Sequence, residues 1–309
     1  MRIAFFGTPE FAVPTLRALA KENHTLAVFT QPDRPVGRKA ILTPPPVKAA
    51  ALELGLPVYQ FEKIRSPEGV AAIRAFLPDL YAVVAFGQLF SEENLSIPPL
   101  GAINVHGSLL PLYRGASPMQ QTVIDGQAMA GVSTMKLVKR MDAGDVLLTA
   151  KTPLGENETF GELSVRLADM GADLFIETLH ALEAGTLTPH PQKEEQATYC
   201  KMLTRESGKI DILAPRQSIH NLVRGTNPWP GAYALVGEEK LKIWRTRLSF
   251  RECPEQVPLG GLFGNANEGL FLKCRDGALE IMELQAPGGK KLEGKTFLRG
   301  KNIVGSVLG

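Results

Sequence analysis

Sulfur is scarce in this chain. Three cysteines, Cys200, Cys253 and Cys274, stand far apart with no CxxC pair. That excludes a zinc ribbon and a disulfide-stapled fold, and predicts free thiols in a reducing compartment. Histidine is nearly as sparse: His24, His106, His180, His190 and His220 show no ligand spacing, so no metal is expected. No stretch of eighteen apolar residues occurs, and a membrane-spanning helix is not expected. The opening residues, MRIAFFGTPEF, lack the long apolar core and small-residue cleavage site of a secretory leader. They read as a buried strand entered at once, and the expected location is the cytoplasm. Internal repeats and low-complexity tracts are also missing.

What remains is an ordinary globular composition, 44% hydrophobic and 21% charged, in a length of 309 residues that suits two packed cores. Through the first 185 residues short apolar runs alternate with amphipathic stretches. Strands are expected at 3–6, 26–30, 57–59, 80–85, 102–106, 131–136 and 146–152, with helices at 11–20, 47–54, 70–76, 118–125 and 159–184. This is an α/β pattern: a doubly wound, Rossmann-like parallel sheet forming a first domain over 1–185. Pro189, Pro191 and a Lys/Glu/Gln cluster then suggest an exposed connector over 186–204. Residues 205–309 hold one helical stretch, an NPWPG turn at 227–231 and five short β-patterned runs between glycine-containing turns. A small OB-like β-barrel is the expected second domain. Trp229, in that turn, is expected in the core.

Charge is divided unevenly. Residues 205–309 carry 16 Lys and Arg against 11 Asp and Glu, whereas the rest carries 18 against 21. A basic second domain is one mark of a nucleic-acid partner. On charge alone Arg224, Lys240, Lys242, Arg245, Arg247, Lys290, Lys291 and Lys295 are candidate phosphate contacts.

Ligands of such sheets bind at the carboxyl ends of the strands. The first such turn, Gly7-Thr8-Pro9-Glu10, contains no GxGxxG, so a nicotinamide cofactor is not expected. The dense segment is NVHGSLLP at 104–111. With a period of two, Asn104 and His106 share one strand face at its carboxyl end. Downstream, MDAGD at 141–145 offers carboxylates before the next strand, with either Asp142 or Asp145 able to meet the imidazole. An amide, an imidazole and a carboxylate, without a GxSxG elbow, suit acyl transfer by direct attack on a bound carbonyl.

The 104–111 segment and the spacing to Asp142 resemble the hallmark of the folate-dependent formyltransferases, and the similarity runs over nearly the whole chain. The resemblance implies that Asn104, His106 and Asp142 are the catalytic trio. It implies that Ser108, Leu109, Leu110 and Pro111 line the folate site, and that the loop of Phe86, Gly87, Gln88 and Leu89 holds the pterin through its backbone. 10-Formyltetrahydrofolate would be the donor.

The acceptor is chosen elsewhere. The segment TQPDRPVGRK at 30–39 sets Arg34, Arg38 and Lys39 among stiffening prolines, as suits a loop that meets phosphates and an unpaired nucleotide end. It resembles the insertion loop of those family members that act on methionyl-tRNA. Methionyl initiator tRNA is therefore the implied partner, met by Arg34, Arg38 and Lys39 and by Arg224, Lys290 and Lys291 of the second domain. A monomer with no membrane contact is expected. An amino-sugar nucleotide is the alternative acceptor, and a catalytically silent RNA-binding module is the alternative outside enzymes.

Overall fold

The computed structural model describes residues 1–37, 39–301 and 303–309. The chain divides into two compact units. One gathers Met1–Gly115, Ala130–Thr152 and Ser164–Tyr199; the other gathers Ala116–Met129, Pro153–Leu163 and Cys200–Gly309.

The first unit is built on strands β1 (Arg2–Gly7), β2 (Thr25–Thr30), β3 (Val58–Gln60), β4 (Leu80–Val84), β5 (Ala102–His106), β6 (Met129–Lys136) and β7 (Val146–Pro153). They lie in the order β7-β6-β5-β4-β1-β2-β3. The pairs from β5 through β3 are parallel, while β6 runs antiparallel to β5. Strands β1, β2 and β4 are apolar on both faces. Ile3, Phe5, Leu26, Val28, Leu80, Ala82, Ile103 and Val105 enter one core together with Leu16, Phe175 and Leu179 from helices. Ala4, Phe6, Ala27, Phe29, Tyr81 and Val83 enter the other. Helices covering both faces are the reason those strands read as continuous apolar runs. Phe6 is fully buried and stacks on Phe29 with centroids 4.9 Å apart. Truncating such a side chain typically costs about 3–5 kcal/mol.

Local signals set the helix ends. Ser66 caps Pro67–Phe76 by accepting from the Gly69 amide at 3.3 Å, and Leu77 closes that helix in the left-handed region. Thr159 and Glu162 bond reciprocally, side chain to amide, at the start of Phe160–Glu183.

Residues 186–199 are more than the exposed connector expected from their composition. His190 exchanges two main-chain bonds with Val146, at 2.8 and 2.9 Å, and the Thr198 carbonyl accepts from the Arg114 amide at 2.9 Å. Proline and charge hide this pairing in the sequence, because the bonds are made by backbone groups.

In the second unit strands β8 (Ala232–Val236), β9 (Glu239–Ser249), β10 (Leu262–Asn265), β11 (Gly269–Cys274), β12 (Gly277–Gln285) and β13 (Leu292–Glu293) form an antiparallel sheet. Its order is β8-β9-β12-β11-β10, with β13 on β12. The two outer strands are joined through residues 306–309. Leu235 exchanges main-chain bonds with Gly309 at 2.8 and 2.9 Å, and Leu262 donates to the Ser306 carbonyl at 2.8 Å. The sheet therefore closes into a barrel around Ile219, Val223, Ile243, Leu272 and Ile281. A bulge in β9 leaves Trp244 out of register with β12.

None of the three cysteines is in a disulfide among the described residues: Cys200 and Cys274 are buried, and Cys253 is partly so. Burial pushes the Cys274 thiol up to about 12 and raises that of Cys253. A thiol reagent at pH 8 is expected to modify no more than one cysteine in the native protein, slowly, and all three after denaturation. Rapid native labelling of two would contradict this packing. No helix among the described residues is long and apolar enough to cross a membrane.

Candidate active site

Strand β5 sends Ile103 and Val105 into the core, so the pleat turns Asn104 and His106 to the opposite face. Both are buried, yet they sit where β5 gives way to the 107–113 loop. His106 Nε2 lies 3.0 Å from the Tyr113 carbonyl. A carbonyl only accepts, so Nε2 carries a hydrogen and Nδ1 is the nitrogen left for chemistry. Nδ1 is 3.8 Å from Asp142 Oδ2. That separation belongs to an ion pair rather than a hydrogen bond.

Asp142 reaches this position at a conformational cost. Its φ is +48°, in the left-handed region that an ordinary side chain avoids at an expense of about 1–3 kcal/mol. Its carboxylate Oδ2 accepts from the Gly115 amide at 2.8 Å. Gly144 completes the turn, because a Cβ there would collide with the Lys136 carbonyl. Asp145 is engaged elsewhere: its carboxylate is 3.6 Å from Lys136 Nζ, and its carbonyl accepts from the Lys136 amide. Of the two carboxylates left open by the sequence, Asp142 is the one beside the imidazole.

The loops after β4 and β5 lie side by side, since those strands are paired in parallel. In the second loop the Ser108 hydroxyl donates to the Leu112 carbonyl at 2.6 Å, and Ser133 Oγ donates to the Ser108 carbonyl at 2.8 Å. The Leu110 amide donates back to Ser133 Oγ at 3.2 Å, and the Leu110–Pro111 bond is cis. Leu109 packs over Gly131. Ser108 thus fixes the shape of its own loop. In the first loop Phe86 is buried and its carbonyl accepts from Thr8 Oγ1 and Gln31 Nε2, at 2.9 and 3.1 Å. Gly87, at φ +77°, lies where a Cβ would strike Gln31. The Gln88 amide is spent internally, accepting from Ile64 and donating to Phe61, while Leu89 is exposed. Two stiff loops therefore border Asn104 and His106, a setting suited to a planar ligand held by main-chain groups.

Comparison with known proteins agrees over the whole length. The family described as formyl transferase matches residues 1–179, and its C-terminal domain matches residues 202–302. This chain belongs to the formyl transferase family. The methionyl-tRNA formyltransferase of Ruminiclostridium cellulolyticum is 43% identical over 312 residues, covering 100% of both chains. That of Pelobacter propionicus is 45% identical over 309 residues, covering 99% of this chain and 96% of its own. Among solved structures, the N-formyltransferase from Helicobacter canadensis, in complex with folinic acid and dTDP-3-aminofucose, superposes with a TM-score of 0.69 at 16% identity. It covers 94% of this chain and 99% of its own. HypX from Aquifex aeolicus, in complex with tetrahydrofolic acid, gives 0.64 at 17% identity, over 99% of this chain and 50% of its own. These structural likenesses concern the fold.

Other residues singled out in this formyl transferase fall differently. Arg34–Val36 pairs with Ile41–Thr43 as an exposed antiparallel ribbon, with Lys39 in its turn. Arg34 is bonded to Glu62, and Val36, Ile41 and Leu42 are each more than half exposed. Arg38 lies outside the described residues. In the second unit Lys290 and Lys291 are exposed, and Lys291 Nζ stands 3.6 Å from the centre of the Trp244 ring.

Two expectations are corrected. Arg224 is no surface phosphate contact: it is buried, with Nε donating to Asn221 and Nη1 to the carbonyls of Gly155 and Glu158. Burial draws its pKa down, and its donors hold the 155–158 turn. Charge alone could not reveal this, although its place three residues after Asn221 on an amphipathic helix was a hint. Trp229, expected in the core, is half exposed, and the buried tryptophan is Trp244. Arg245 and Arg247 are tied to Glu162 and Glu280, which reduces the free positive charge of this face.

Proposed function

We propose that this chain transfers a formyl group from 10-formyltetrahydrofolate to the amino group of methionyl initiator tRNA. The observation that carries the chemistry is the convergence of Asp142 on His106 Nδ1, with Asn104 on the same strand face. The acceptor is supported by relatives of that name, 43–45% identical and matched over 96–100% of their length.

In this reading the neutral amine attacks the formyl carbon. A carbon–nitrogen bond forms, and negative charge gathers on the formyl oxygen. The Asn104 amide and the protonated Nδ1 of His106 donate to that oxygen, each worth about 3–4 kcal/mol in the transition state. Asp142 holds the imidazolium and accepts the proton released by the amine. As the bond to the folate nitrogen breaks, the His106–Asp142 pair returns a proton to the departing nitrogen. The loops at 86–89 and 108–111 hold the folate. The 34–43 ribbon, Lys290 and Lys291 face the tRNA, with 205–309 as its binding domain. The same reading makes the protein a cytoplasmic monomer.

The test is formylation of methionyl-tRNA across a salt series with Arg38→Ala and Lys39→Ala. Each variant is expected to weaken tRNA binding and to lower the slope of log K against log salt by about one, with KM for the folate within about twofold. Formylation of an amino-sugar nucleotide, with methionyl-tRNA left untouched, would transfer the proposal to the other acceptor.

A further inference from the structure

We propose that Gln192 is a positioning residue for Asp142. The inference rests on the role given to Asp142 above. Gln192 Nε2 donates to the carbonyls of Asp142 and Gly144, at 2.8 and 2.7 Å. It thereby spans the turn whose first residue stands at φ +48°. A strained residue keeps its conformation only where surrounding bonds over-determine it. Here the carboxylate of Asp142 is held from one side by the Gly115 amide, and its carbonyl from the other by Gln192.

The orientation of the Gln192 amide is itself fixed. Arg114 Nε donates to Gln192 Oε1 at 3.0 Å. A guanidinium has only donors, so the oxygen of the amide must face Arg114 and its NH2 must face the turn. Arg114 is fully buried and paired with Glu194 through both Nη atoms, at 2.9 and 3.2 Å. Glu194 also accepts from Arg140, which enters the same loop. Arg114 thus anchors Gln192 and Glu194, and these grip the loop at Arg140, Asp142 and Gly144. The strap comes from residues 192–194, far from Asp142 in the chain, and grips main-chain carbonyls of the 142–144 turn.

The experiment combines kinetics with amide exchange, using Gln192→Ala, Gln192→Glu and Lys193→Ala as a surface control. Gln192→Ala is expected to lower kcat by about 10- to 100-fold through misplacement of Asp142, with both KM values within about twofold. Gln192→Glu keeps the volume and the bond to Arg114 but offers no donor to the two carbonyls, so it should lose at least as much. In an Asp142→Ala background, Gln192→Ala should change kcat by less than about twofold, because the group it positions is gone. Multiplicative losses in the double variant, or a near wild-type Gln192→Glu, overturn the proposal. Amide exchange over 141–145 should quicken in Gln192→Ala and not in Lys193→Ala, a readout that needs no substrate. Unchanged exchange there also overturns it. If the wild type leaves methionyl-tRNA unformylated while Gln192→Ala still loosens the loop, the acceptor is wrong and the positioning role stands.

Discussion

His106→Ala is expected to lower kcat for formyl transfer at least about a hundredfold, and Asn104→Ala by a similar factor. Both side chains are more than nine-tenths buried at the carboxyl end of β5, so they act in a setting where water screens little. A donor placed there before the reaction needs no reorganisation as charge develops on the formyl oxygen. The His106 variant has a second consequence: the Tyr113 carbonyl loses the Nε2 donor that it accepts from. Thermal stability should therefore be recorded beside kcat. Asn104→Asp is the sharper companion, since it keeps the size and replaces a donor by a charge that repels an oxyanion. If both alanine variants retain more than about a tenth of wild-type kcat, the oxyanion role assigned to these residues fails.

Asp142→Asn is expected to fold as the wild type does and to lose about 10²- to 10⁴-fold in kcat. Asparagine tolerates the left-handed backbone about as well as aspartate, and its side-chain oxygen still accepts from the Gly115 amide. What it lacks is the negative charge beside His106 Nδ1. The replacement thus separates the fold of the loop from its electrostatics. A midpoint within about 2–4 °C of wild type is expected, the shift of roughly 1 kcal/mol in a chain of this size. An Asp142→Asn enzyme with nearly full activity would show that the carboxylate is a structural group and that the proton takes another route.

Much of this was legible in residue order. Alternating apolar and amphipathic runs expose a parallel sheet because both of its faces are covered, and the pairing of Asn104 with His106 on one face needs only a period of two. The carboxylate was visible as one of two candidates. The choice of Asp142 came from the family resemblance alone, because the positive φ at Asp142 and the tie between Asp145 and Lys136 have no local signature. Gln192 and Arg114 were hidden for a related reason. Their bonds cross about 50 and 80 residues of chain, and a polar stretch with two prolines reads as linker however firmly its backbone is held. Charge counting misled at Arg224, whose guanidinium is used inside the protein. It overlooked that Arg34, Arg245 and Arg247 already have acidic partners.

The way the barrel closes bears on solution behaviour. An open sheet offers unpaired main-chain groups along two edges, which neighbouring molecules can extend into aggregates. Here one short segment, 306–309, satisfies Leu235 on one outer strand and Leu262 on the other. Few residues therefore protect both edges at once. A frameshift or truncation that removes them leaves β8 and β10 exposed together, each rich in apolar side chains. The damage would be seen first as insoluble protein on expression, even though no residue of the first unit is altered.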